Sequence, residues 1–186
     1  MRSKSAQKLH EDGVKLFRKG NAVAALEKFQ EALPHTSDEQ QQAEIYNDIG
    51  ATHKQLEDYE AAYEALDEAL KRFIEIGDRK GQALTWGNRA AVYEAEGALE
   101  EAVETYKRAA TMLEEVGESE MAMYVWQAVS RLRLQQKQYI AAIGAYEEGV
   151  ENMPDNSLKK KFLQGLLRMP GSMLGGLGDG ETTDET

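Results

Sequence analysis

Leu9, Gly13 and Leu16 stand at i, i+4 and i+7, and Ala25, Phe29 and Ala32 repeat that spacing after a short polar break. Such spacing lays one stripe along the face of an α-helix. The break, KGN at 19–21, has counterparts in LEDY at 56–59, EGAL at 96–99 and QKQY at 136–139. Gly20 and Gly97 suit the left-handed residue that ends many helices. The pattern predicts pairs of helices joined by tight turns.

The same columns of residues recur down the chain. Gly13, Gly50, Ala90 and Ser130 form a column of small residues; Ala25, Ala62, Ala102 and Ala142 form a second; Ala32, Ala69, Ala109 and Gly149 form a third. Phe29, Leu66, Tyr106 and Tyr146 make a bulky column between the last two, and Leu9, Tyr46, Trp86 and Trp126 make another before the first. All five columns share offsets of 37, 40 and 40 residues. Chance does not produce five columns in one register, so the chain is read as copies of one unit. Small residues let two helices approach, and the neighbouring bulky side chain fills the gap beside the crossing.

The connections between units are also patterned. EIGDRKGQAL at 75–84 is echoed by EVGESEMAMY at 115–124. In each, Gly ends one helix and the following acid, Asp78 or Glu118, suits the start of the next. The first connection, PHTSDEQQQ at 34–42, differs. Pro34 stops a helix, Thr36 with Glu39 or Ser37 with Gln40 can form a capping box, and the next helix is expected to begin near Asp38.

The large–small–small–aromatic–small pattern on paired helices resembles the tetratricopeptide repeat family, most clearly in AVYEAEGALEEAVETYKRA at 91–109. The resemblance implies an all-α, right-handed α-solenoid of four helix-turn-helix repeats, at about 6–42, 43–82, 83–122 and 123–154, within a domain spanning 1–169. The fourth copy carries Arg133 where a tyrosine is usual and lacks the turn glycine, while Pro154 matches the proline beyond the second helix. The long unit with GDR at its turn is similar to those of kinesin light chains and spindle-orientation adaptors, which bind extended peptides.

A stack of helix pairs leaves its last apolar face open unless something covers it. NSLKKKFLQGLLR at 156–168 is predicted to be a capping helix with Leu158, Phe162 and Leu166 inward and Lys159, Lys160 and Lys161 mostly outside; docking of a partner onto it is the alternative. Residues 170–186 read as a flexible, Gly-rich acidic tail. Its Met173, Leu174 and Leu177 raise the alternative that it docks in a groove of this chain or of another copy.

Charge and composition narrow the function. The chain has 186 residues, a formal net charge of −11 and no Cys. It lacks a basic footprint for nucleic acid, and an anionic membrane would repel it. No apolar run approaches the ~20 residues of a membrane span. MRSKSAQKLHED has no apolar signal core, and a cytoplasmic setting fits the absence of Cys. The three His, at 10, 35 and 53, show no metal-binding spacing, and pairs such as Glu100–Glu101 and Glu147–Glu148 read as solvated surface. The expectation is a protein that is not an enzyme and has no cofactor or metal.

What remains is surface. In the family the first helices line the inside of the superhelix, and the register assigns to that groove Gln7, His10, Val14 and Phe17; Glu44, Asn47, Ala51 and Lys54; Leu84, Asn88, Ala91 and Glu94; Tyr124, Gln127, Arg131 and Leu134. His10, Val14, Leu84 and Asn88 stand where chaperone-binding members carry Lys, Asn, Lys and Arg, which argues against chaperone tails as ligands. Asn47 and Asn88 are amides able to bond the backbone of an extended peptide, as asparagine does in peptide-binding members with long repeats. Val14, Phe17, Leu84 and Tyr124 would add apolar pockets, Arg131 an anchor for an acid, and Lys54 and Gln127 polar contacts. The expected function is an adaptor or scaffold that holds a peptide segment of another protein. The alternatives are a self-assembling scaffold whose segment 170–186 fills a neighbouring groove, and a small chaperone that shields a client for secretion or assembly.

Overall fold

A computed structural model describes residues 2–153, with side chains from Ala6 onward, together with Lys160, Lys161 and Gln164. The described chain is all-α: α1 (Arg2–Arg18), α2 (Ala22–Ala32), α3 (Glu39–Gln55), α4 (Tyr59–Glu75), α5 (Arg79–Glu96), α6 (Leu99–Glu115), α7 (Ser119–Gln135) and α8 (Tyr139–Glu151), with a 3-10 turn at Leu33–His35. Each helix packs on the next in sequence, and α3 also touches both α1 and α5. The odd-numbered helices therefore lie side by side along one flank of an α-solenoid.

The joints explain why the chain punctuates itself as it does. Gly20, Glu57, Gly77, Gly97, Gly117 and Lys137 all take a left-handed backbone, with φ between 59° and 82°. In all six joints the amide following this residue donates to the carbonyl five positions back, as Asp78 N does to Phe73 O at 2.9 Å. This closes the helix end in a Schellman motif. From Glu57 onward the left-handed residue recurs every twenty positions. Turns within a pair and turns between pairs are thus one device, and forty residues is two of its strokes. Two of the six places are held by Glu and Lys, residues with no sequence signal for this conformation.

Aspartates cap the helices they precede, whereas Glu118, ahead of α7, makes no capping bond and pairs with Lys80. Asp58 accepts a bond from Ala61 N and Asp78 one from Gly81 N. At the first connection the cap is Asp38, which accepts from Gln40 N; Thr36 instead accepts from Asp38 N. Neither expected capping box forms, although α3 begins at Glu39 as anticipated. Pro34 lies inside the 3-10 turn after α2.

The small columns do what their size allows. A Cβ on Gly13 would stand 2.6 Å from the Phe29 ring, and one on Gly50 would stand 2.5 Å from Leu66 Cγ. Gly81, outside the columns, is filled in the same way by the Phe73 ring. Ala25, Ala62, Ala69, Ala102 and Ala109 are wholly buried. Ser130, in the fourth pair, buries its hydroxyl on the carbonyl of Ala142 at 2.8 Å.

Arg133, the departure from the repeat pattern, is buried, and its Nη1 faces Glu100 at 2.7 and 2.8 Å, Gln136 at 3.0 Å and Gln138 at 2.9 Å. A tyrosine position has become the hub of a polar fan joining α7 to α6. Glu100, read from sequence as solvated, is its counter-ion, and this pairing holds its carboxyl below the usual range.

The predicted capping helix 156–168 and tail 170–186 lie outside the described residues apart from three. Lys160, Lys161 and Gln164 are helical. Lys160, expected to point mostly outward, is buried with its ammonium on the carbonyl of Glu151 at 2.7 Å. Gln164 donates to the Glu151 carboxylate at 2.9 Å.

Candidate functional site

Cross-links between neighbouring odd-numbered helices build the flank that the register assigned to the groove. Between α1 and α3, His10 Nε2 meets Asp48 Oδ2 at 2.7 Å. Between α3 and α5, Asn88 Nδ2 donates to Asn47 Oδ1 at 2.9 Å. Between α5 and α7, Arg131 pairs with Glu94 at 2.8 Å. A second row recurs at the helix starts, where Gln40 bonds Asp78 and Lys80 bonds Glu118. Each of these latter side chains grips the acid that precedes the next odd-numbered helix.

The residues expected to line a groove fall into three physical groups. Val14 and Phe17 are half-buried and pack against the cluster of Phe29, Ile45 and Ile49, so they form a wall fixed by the core. Leu84 and Tyr124 stand out into solvent, Tyr124 at 65% exposure. Asn47, Lys54, Asn88, Gln127 and Arg131 supply polar atoms, Arg131 being exposed and the other four half-buried. Asn47 and Leu84 meet in one cleft of about 310 Å³ with His10, Glu44, Phe73 and Lys80.

Electrostatics bind the lower part together. Its hydrogen bond to Arg131 holds the Glu94 carboxyl below the ordinary value, against the opposing effect of burial, and the Lys54 charge adds to the depression. Tyr106 Oη donates to the same carboxylate at 3.2 Å, and burial beside Glu94 pushes its phenol up. Arg131, expected from sequence to anchor an acid, is thus salt-bridged to Glu94.

The Asn pair carries the most chemistry. An amide has one acceptor oxygen and one donor NH₂. The bond from Asn88 to Asn47 leaves the Asn47 NH₂ and the Asn88 carbonyl without partners among the described residues. Beside them lies Gly87, a mid-helix glycine around which a Cβ would meet nothing within 4 Å. The sequence reading missed Gly87, although the signal was present. Gly87 follows Asn47 by the forty-residue offset, while Asn88 stands one position further on.

Among the described residues no group of His, Asp and Glu is arranged to hold a metal ion. Nor is any described helix long and apolar enough to cross a membrane.

Comparison with known proteins places the chain. No curated protein matches it. The crystal structure of MamA superposes with a TM-score of 0.60 and 17% identity, over 86% of this chain and 81% of that one. The crystal structure of BtubC (BKLC) from P. vanneervenii superposes with a TM-score of 0.65 and 14% identity, over 100% of this chain and 94% of that one. These likenesses establish a shared helical-repeat fold of tetratricopeptide type. The family model for SNAP, soluble NSF attachment protein, matches residues 2–168. It names a family other than the kinesin light chains to which the GDR turn is similar. By that match across most of its length, the chain belongs to the soluble NSF attachment protein family.

Proposed function

We propose that the protein is a non-enzymatic adaptor whose odd-numbered helices present a groove to an extended peptide segment of another protein. The observation that carries this reading is the amide pair beside Gly87. One outward donor and one outward acceptor match the carbonyl and amide of a single peptide unit, and the missing side chain lets that backbone approach closely. Backbone bonding of this kind is indifferent to ligand sequence, so selectivity falls to Leu84, Tyr124 and the charged edge at Arg131. Membership of a family named for an attachment protein supports the adaptor role.

The test is selection of peptides from a displayed library by the intact chain, followed by Gly87→Trp. Because a Cβ at 87 meets nothing within 4 Å and the position is not buried, this variant should melt like the wild type and lose the selected peptides. Retention of full binding by a folded Gly87→Trp protein moves the site off this flank.

A further inference from the structure

We propose that the outer face of α8 is a self-association surface, occupied by α8 of a second copy running antiparallel about a two-fold axis. Ile140, Ile143, Gly144 and Glu147 stand at i, i+3, i+4 and i+7, and so share one face of the helix. Ile140 is 89% exposed and Ile143 53%. Forty residues earlier, the counterpart of Ile143 is Val103, which is wholly buried against Val129 and Leu132 of α7. The face is therefore built like a packed one, and no described residue covers it.

Gly144 strengthens the point. Where Gly13, Gly50, Gly81 and Gly149 sit inside helices, a neighbouring group occupies or crowds the space a Cβ would need; at Gly144 nothing lies within 4 Å. The helix keeps a gap of the kind that admits a close neighbour.

Two features choose a second α8 as the occupant. The start of the stack does not fit: the α1 positions in register with the buried Ile45, Ile49 and Thr52 are Lys8, Asp12 and Lys15, with Lys15 bonded to Asp12 at 3.2 Å. A copy stacking head to tail would lay those charges on isoleucines. By contrast, the α8 face complements itself. An antiparallel pair centred near Ala142 sets Ile140 of each copy over the gap at Gly144 of the other. It also brings Lys137, in the turn just before α8 of each copy, toward Glu147 on α8 of the other. Lys137 and Glu147 are both exposed. Opposed charges of this sort fix register and orientation more than affinity.

The experiment is light scattering of the full chain over a wide concentration range. The wild type should reach the mass of a dimer. Ile140→Asp, at an exposed position that leaves the fold intact by circular dichroism, should raise the dissociation constant at least about tenfold. Lys137→Glu and Glu147→Lys should each weaken the dimer, and the two together should restore it. A wild type that stays monomeric overturns the proposal, as does a dimer indifferent to Ile140→Asp or a double exchange no better than either single one. A monomer that dimerises only after removal of residues 170–186 also overturns it, and assigns the face to the chain's own end.

Discussion

Asn88 and Asn47, forty-one positions apart, share one hydrogen bond and leave one donor and one acceptor without partners among the described residues. They act as a unit, so their effects on peptide binding should be non-additive. Asn47→Ala and Asn88→Ala should each weaken a groove-bound peptide by about tenfold, and the double variant by little more. Calorimetric titration of the four proteins of the cycle measures the coupling. Additive losses would mean that the two amides contact the peptide separately.

Two glycines on odd-numbered helices should respond in opposite directions. Gly50→Ala forces Leu66 or the helix aside and should lower stability by about 1–3 kcal/mol. Gly87→Ala meets nothing and should raise stability by up to about 1 kcal/mol through helix propensity alone. Denaturant midpoints of the two variants decide it, and a Gly87→Ala protein less stable than wild type would show a packing role there.

The Glu94–Arg131 clasp sets a pH dependence. Glu94 titrates below its ordinary 4.5 when folded, so its contribution is complete above the unfolded value and is lost as pH falls through the folded one. The melting-temperature gap between wild type and Arg131→Gln should be constant near neutrality and close on acidification through that window. A gap that persists at the acid end would mean that Arg131 stabilises by packing.

Arg133 separates packing from charge. Its partners Glu100 and Glu104 are exposed and rehydrate when it is removed, so Arg133→Met, which keeps most of the buried stem, should cost under about 1.5 kcal/mol. Arg133→Ala should cost about 2 kcal/mol more, because the volume is lost. Equal losses in chemical denaturation would make the ion pair the dominant contribution.

The fold was legible because its signals are packing signals. Gly13 and Gly50 must be small for Phe29 and Leu66 to fit, and such constraints recur at every unit, so the register stands out. Glu57 and Lys137 were not legible as left-handed residues, since their conformation is imposed by the helices on either side. Asp38 displaced the expected capping boxes because its carboxylate reaches the first free amides of α3 directly. The candidate groove residues were chosen as a set of columns. The pairings within it, Asn47 with Asn88 and Glu94 with Arg131, depend on neighbouring helices meeting at particular heights, which one-dimensional spacing does not encode.

Six of the seven joints between the described helices α1 to α8 share one backbone geometry; the seventh, through Leu33–His35, does not. The leading hairpin, α1 with α2, is thus coupled to the rest by a connection of its own kind, and its hold on α3 falls to side chains: Phe29 packed with Ile45 and Ile49, and His10 on Asp48.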